Sequence, residues 1–121
     1  MKKLLVILLA SVFTACAAEK ASVEQCEKLI TEKVQVLDVR TEEEWNAGHL
    51  DGAVRVDYRS DDFKEAVGKA VDLKKPVLVY CHSGGRSANA AMVLEKLGCE
   101  TVYDMKGGIT AWKKAEKKVV K

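Results

Sequence analysis

Pro76-Val77-Leu78-Val79-Tyr80-Cys81-His82-Ser83-Gly84-Gly85-Arg86-Ser87 is the stretch from which the rest of this chain can be read. The unbroken apolar run after Pro76 predicts a strand covered on both faces of a sheet. Beyond it, residues 87–97 carry small and apolar side chains at helical spacing and stop at Gly98, a residue suited to ending a helix. Cys81 is thus expected at the carboxyl end of a buried strand, at the mouth of a turn that opens a helix. In open α/β sheets, ligands bind at that end of the strands. The backbone amides of residues 83–87 can converge on an anion, helped by the positive end of the helix. Gly84 and Gly85 permit the angles of such a ring, and Arg86 adds a fixed cationic fork. Each feature favours a thiolate at Cys81, and the thiolate is the reactive form of cysteine.

Working outward, strands are expected at 34–38, 53–56, 77–80 and 101–103. Helices are expected at 23–31, from Thr41 to near Gly48, at 61–71, at 87–97 and at 109–117. Ser22 with Gln25, and Thr41 with Glu44, have the spacing of capping boxes. Phe63, Ala66, Val67 and Ala70 share one face of the third helix. Alternating strands and helices predict an α/β fold with a parallel sheet. At 121 residues there is room for one domain. Twenty basic residues against 18 acidic ones leave no face basic enough for nucleic acid.

The first 17 residues read as a secretory signal rather than as fold: Lys2 and Lys3, an apolar run from Leu4 to Val12, then small residues. Two processing outcomes stay open. Phe13-Thr14-Ala15-Cys16 resembles a bacterial lipoprotein box, with Phe13 in place of the usual Leu. A signal over 1–15 would then leave Cys16 lipidated. Cleavage after Ala17 is the alternative. Either places the domain, expected over 22–119, in the periplasm, soluble or tied to the outer membrane by lipid. Cys26, Cys81 and Cys99 then form an odd set in an oxidising compartment, so at least one stays unpaired. Cys26 and Cys99 are either a disulfide or two buried, inert thiols, the latter being the expectation. No two cysteines have zinc-ligand spacing, and neither a dinucleotide nor a phosphate-loop motif is present. No metal or cofactor is expected.

Three segments together resemble the rhodanese family, the sulfurtransferases that carry sulfur as a cysteine persulfide. They are Asp38-Val39-Arg40-Thr41 with Glu44-Trp45 and Gly48-His49-Leu50-Asp51-Gly52-Ala53; the Cys81 loop; and Lys106-Gly107-Gly108-Ile109 with Ala111-Trp112. They occur in the family's order over nearly all of the chain after residue 22. The resemblance implies a doubly wound sheet of four to five parallel strands with helices on both faces. Little room is visible for the fifth, a short edge strand near the start.

The resemblance also implies the chemistry. Cys81 would be the nucleophile, taking sulfur from a small-molecule donor such as thiosulfate and passing it to cyanide or a thiol. Arg86, His82, Ser83, Gly84, Gly85 and Ser87 would bind substrate, with Arg86 either meeting the donor anion or closing the loop. Asp38, Arg40 and Glu44 would form a buried polar cluster supporting the active edge of the sheet, His49 would be a hydrogen-bonded structural residue, and Trp45 and Trp112 would be core. From Cys81 to Arg86 the loop spans six residues. Related phosphatases have a loop one residue longer, so phosphatase chemistry is disfavoured. A monomer is the family default, with membrane contact only through the lipid. Competing functions are a persulfide relay serving a partner protein and a redox protein pairing Cys81 with Cys26 or Cys99.

Overall fold

The computed structural model describes residues 18–121. Residues 1–17, where a signal and a lipidated Cys16 are expected, lie outside the described residues.

Five parallel strands form one sheet: β1 (Glu19–Ala21), β2 (Gln35–Asp38), β3 (Val54–Arg55), β4 (Val77–Tyr80) and β5 (Val102–Met105), in the order β1-β5-β4-β2-β3. The helices are α1 (Val23–Thr31), α2 (Glu42–Asn46), α3 (Phe63–Ala70), α4 (Gly85–Lys96) and α5 (Gly108–Lys114). Both capping boxes form, Ser22 with Gln25 at α1 and Thr41 with Glu44 at α2. The third helix is shorter than expected. Phe63 and Val67 are buried on it, while Ala70 is exposed.

The fifth strand exists, in the three residues where little room was visible. An edge strand bonds on one side only, so three residues suffice: Glu19, Lys20 and Ala21 run in register with Tyr103, Asp104 and Met105.

Side chains of β4 alternate between two cores. Val77, Val79 and then Cys81 join Phe63 and Val67 of α3 with Ala90, Ala91 and Leu94 of α4. Leu78 and Tyr80 join Val23 and Cys26 of α1 with Ile109 and Trp112 of α5. Helices therefore cover both faces, and the unbroken apolar run of β4 is the consequence. Cys26 belongs to one core and Cys99 to the other. With the sheet between them, they do not form a disulfide with each other.

From β2 the chain moves outward to β3, and from β4 it moves the opposite way to β5. The carboxyl ends of β2 and β4 thus lie at the switch point of the sheet, the place where such sheets bind ligands. Cys81 stands there.

Candidate active site

The first segment builds a rigid wall beside Cys81. Asp38, fully buried at the end of β2, accepts from the Arg40 amide at 2.9 Å, from Arg40 Nε at 3.0 Å and from Arg40 Nη2 at 2.8 Å. It also accepts from the Tyr80 hydroxyl at 2.5 Å. Arg40 Nη2 donates onward to the Gly48 carbonyl at 2.8 Å, and the Leu50 amide donates to the Tyr80 hydroxyl at 3.1 Å. A charge buried this deeply is tolerable only when every oxygen and N–H is met. The residues between Gly48 and Ala53 serve that need by bringing a carbonyl and an amide to the pair. Burial and the adjacent Asp38 push the Tyr80 phenol far above its ordinary range, so it remains a donor.

Two residues of this segment sit differently from expectation. The Trp45 ring is half-buried outside both cores and stacks on His49, with ring centroids 3.5 Å apart. His49 Nδ1 lies 3.1 Å from the Trp45 carbonyl. Glu44 is partly exposed rather than part of the buried cluster, and its partner is Arg86.

Helix α4 starts at Gly85, two residues earlier than expected, because Gly84 takes φ +127° and turns the chain at once. Only Gly84 of the glycine pair adopts a positive φ; Gly85 is helical. Arg86 and Ser87 consequently occupy the first helical turn and point in different directions. Arg86 reaches out to α2, donating to both oxygens of Glu44 at 2.8 and 2.9 Å. Its partner is thus a carboxylate of α2, neither a donor anion nor a carbonyl of its own loop. Ser87 is fully buried, with its hydroxyl 3.5 Å from Cys81 Sγ. His82 and Ser83 lie exposed on the rim, where His82 Nε2 is 3.4 Å from Thr110 Oγ1.

The sulfur of Cys81 accepts from the Gly84 amide at 3.0 Å. Burial raises the pKa of the thiol, since Cys81 is 1% exposed, but hydrogen bonding within the loop, the amides of Ser87, Gly84 and Ser83 among it, outweighs it. The net direction is below the ordinary thiol value. Cys26, buried without such amides and near the Asp104 carboxylate, is pushed up to about 12.

The third segment supports the loop from beneath. The first amides of α5 donate into it, Ile109 N to the Cys81 carbonyl at 2.9 Å and Thr110 N to the His82 carbonyl at 3.1 Å. Such close approach requires glycine: a Cβ on Gly108 would stand 2.4 Å from the His82 oxygen and 2.6 Å from the Cys81 oxygen.

Sequence reading did not single out Asp104. It is buried at the end of β5, accepts from Ser87 Oγ at 2.6 Å and pairs with Lys20 Nζ at 2.8 Å. An acidic residue within a short apolar strand, just ahead of Lys106-Gly107-Gly108, was the available signal.

A profile of the rhodanese-like domain family matches residues 22–115. The chain is 37% identical over 82 residues to a thiosulfate sulfurtransferase of Shewanella oneidensis, covering 68% of this chain and 78% of that one. It is 39% identical over 87 residues to the chloroplastic thiosulfate sulfurtransferase 16 of Arabidopsis thaliana, covering 64% and 72%. A tRNA uridine(34) hydroxylase of Chlamydia trachomatis is 37% identical over 118 residues, which are 92% of this chain but 36% of that protein. Among solved structures, a rhodanese-related protein of Thermoplasma volcanium superposes with a TM-score of 0.74 at 28% identity, over 84% of this chain and 97% of that one.

Proposed function

We propose, starting from a chain that belongs to the rhodanese-like domain family, that it is a sulfurtransferase working through a persulfide on Cys81, with thiosulfate or a similar sulfane-sulfur compound as donor. One observation carries the reading. Cys81 Sγ sits at the switch point of the sheet and receives the Gly84 amide at 3.0 Å, in surroundings that favour the thiolate.

The reaction has two half-steps, hence ping-pong kinetics. The Cys81 thiolate attacks the outer sulfur of thiosulfate. A sulfur–sulfur bond forms to Cys81, the bond to the sulfonate sulfur breaks, and sulfite leaves with that electron pair. The persulfide anion sits where the thiolate sat, among the same amides, which stabilise its charge in the manner of an oxyanion hole. A thiophile then attacks the outer sulfur. Cyanide leaves as thiocyanate, or a thiolate leaves as a persulfide, and the Cys81 thiolate returns. Arg86 is engaged by Glu44, so its contribution is to hold the first turn of α4, and with it Ser87, against the sulfur.

In this reading the protein acts as a monomer on small molecules, outside the cytoplasm. The compartment rests on residues 1–17 alone. Mass spectrometry of the processed amino terminus separates its two forms: a diacylglyceryl Cys16 means a lipid anchor, a free Ala18 a soluble domain.

A second reading is a persulfide relay to a partner protein; a stretch similar to this chain forms about a third of the longer Chlamydia protein, so such a domain also occurs joined to others. Thiosulfate-to-cyanide transfer, followed as thiocyanate, tests the first. Turnover by the wild type and none by Cys81→Ser supports it. Equal turnover by both removes Cys81 from the mechanism, and none by either moves the weight to the relay.

A further inference from the structure

Asp104 has no part in the mechanism above, yet a carboxylate 1% exposed lies two hydrogen bonds from the reactive sulfur. The link is Ser87, whose hydroxyl carries one proton and has three neighbours in reach. Asp104 Oδ1 stands at 2.6 Å, the Gly84 carbonyl at 3.3 Å and Cys81 Sγ at 3.5 Å. The short contact to a charged acceptor is the strongest of the three, so the proton points at Asp104. Ser87 then shows the sulfur only lone pairs. It can accept from a thiol but has nothing to donate to a thiolate or a persulfide anion.

We infer that Asp104 is a positioning residue for Cys81: by holding the Ser87 proton, it withholds one hydrogen bond from the sulfur anion and keeps that sulfur more reactive than the loop amides alone would leave it. The inference rests on the reading of Cys81 as nucleophile. Its logic is that the nucleophilicity of a thiolate falls as its pKa falls, so the best attacking thiol titrates near ambient pH. A loop that only stabilised the anion would make Cys81 fully ionised and sluggish, and its persulfide reluctant to yield sulfur.

Other charges face these groups. Lys20 of β1 meets Asp104 Oδ2 at 2.8 Å, with its side chain 56% exposed. Cys26 of α1 feels the Asp104 charge from the other side, and Arg86, held by Glu44, faces Cys81. The Lys20 contact fixes the carboxylate's second oxygen and leaves the first for Ser87.

Asp104→Asn tests this with little change of shape. The amide oxygen can still accept from Lys20, while the amide nitrogen donates to Ser87 Oγ and turns the hydroxyl proton toward the sulfur. The readout is the pH dependence of Cys81 alkylation in the full chain, followed on the Cys81 peptide by mass spectrometry. It needs no sulfur donor, so it stands or falls apart from the thiosulfate assay. The expected result is a midpoint about one pH unit lower, with a plateau rate about 3-fold slower from the Brønsted slope of thiolates. In a Ser87→Ala background the drop should shrink to less than half. A midpoint that is unmoved or higher overturns the inference, as does an equal drop in both backgrounds, which would be a bare charge effect. Should Asp104→Asn not fold, Ser87→Ala alone serves: a hydroxyl whose proton is held by Asp104 gives the thiolate nothing, so its removal should leave the midpoint no higher than in the wild type. A raised midpoint would mean that Ser87 donates to the thiolate, and overturns the inference.

Discussion

Replacing Glu44 by Gln should remove the Glu44–Arg86 ion pair while leaving the helix cap in place, because Gln serves the third helical position of a capping box as well as Glu. The two roles are otherwise entangled. The same carboxylate accepts from the Thr41 amide at 3.0 Å and from both terminal nitrogens of Arg86. Hydrogen bonding from Arg86, offset in part by burial and helped by Thr41, lowers the Glu44 carboxyl from 4.5 to about 2. At about 1.4 kcal/mol per tenfold change, that gap corresponds to about 3 kcal/mol. With 30% of the Glu44 side chain open to water, screening reduces the net value to about 1–2 kcal/mol. The folded value lies below the unfolded one, so this stability is present in full above pH 4.5 and disappears as pH falls toward 2. Thermal melts of wild type and Glu44→Gln should therefore differ by about 4–8 °C at pH 7, at about 4 °C per kcal/mol for a domain of this size. The gap should close as the pH approaches 2. Melting curves offset by the same amount across that range, or not offset at all, would refute the assignment of this pair as the clamp on the loop.

Two further perturbations follow from the same geometry. Gly108→Ala places a methyl group against two carbonyl oxygens at a residue with φ +62°; the left-handed strain and the overpacking together should cost about 3 kcal/mol in chemical denaturation. Because the displaced atoms carry Cys81, sulfur transfer should fall even in the fraction that remains folded. Asp38→Asn leaves Arg40 buried without its countercharge, and urea unfolding should register a loss of about 3–5 kcal/mol, a large share of the stability of a small domain.

Much of this could be read before any coordinates. Residues 77–81 announce both the buried strand and the nucleophile because burial on two faces demands an unbroken apolar run, and a cysteine beside glycines and an arginine is a short-range pattern. Both capping boxes were equally legible, being local hydrogen bonds with fixed spacing. What stayed hidden is long-range pairing. Arg86 and Glu44 are 42 residues apart and Ser87 and Asp104 are 17 apart; nothing in a sequence says which carboxylate an arginine or a hydroxyl will meet. The edge strand at Glu19–Ala21 was missed because three residues carry too little periodicity to be seen. Trp45 reads as core because it is large and apolar, but a flat stacking partner, His49, stands four residues along.

The pairing of β1 with β5 has a consequence in time. Lys20 and Asp104 are 84 residues apart, and the sheet gains its last neighbours only when both ends of the chain are present. The same holds for the loop, whose Cys81 and His82 carbonyls wait for the amides of Ile109 and Thr110. Contacts this distant in sequence form late and set the folding rate. A ribosome that has delivered the strand and cysteine of the site, but not the final fifth of the polypeptide, has delivered a thiol without the α5 amides that support its loop. The support beneath the Cys81 loop is therefore completed at the close of folding, when the amides of Ile109 and Thr110 arrive.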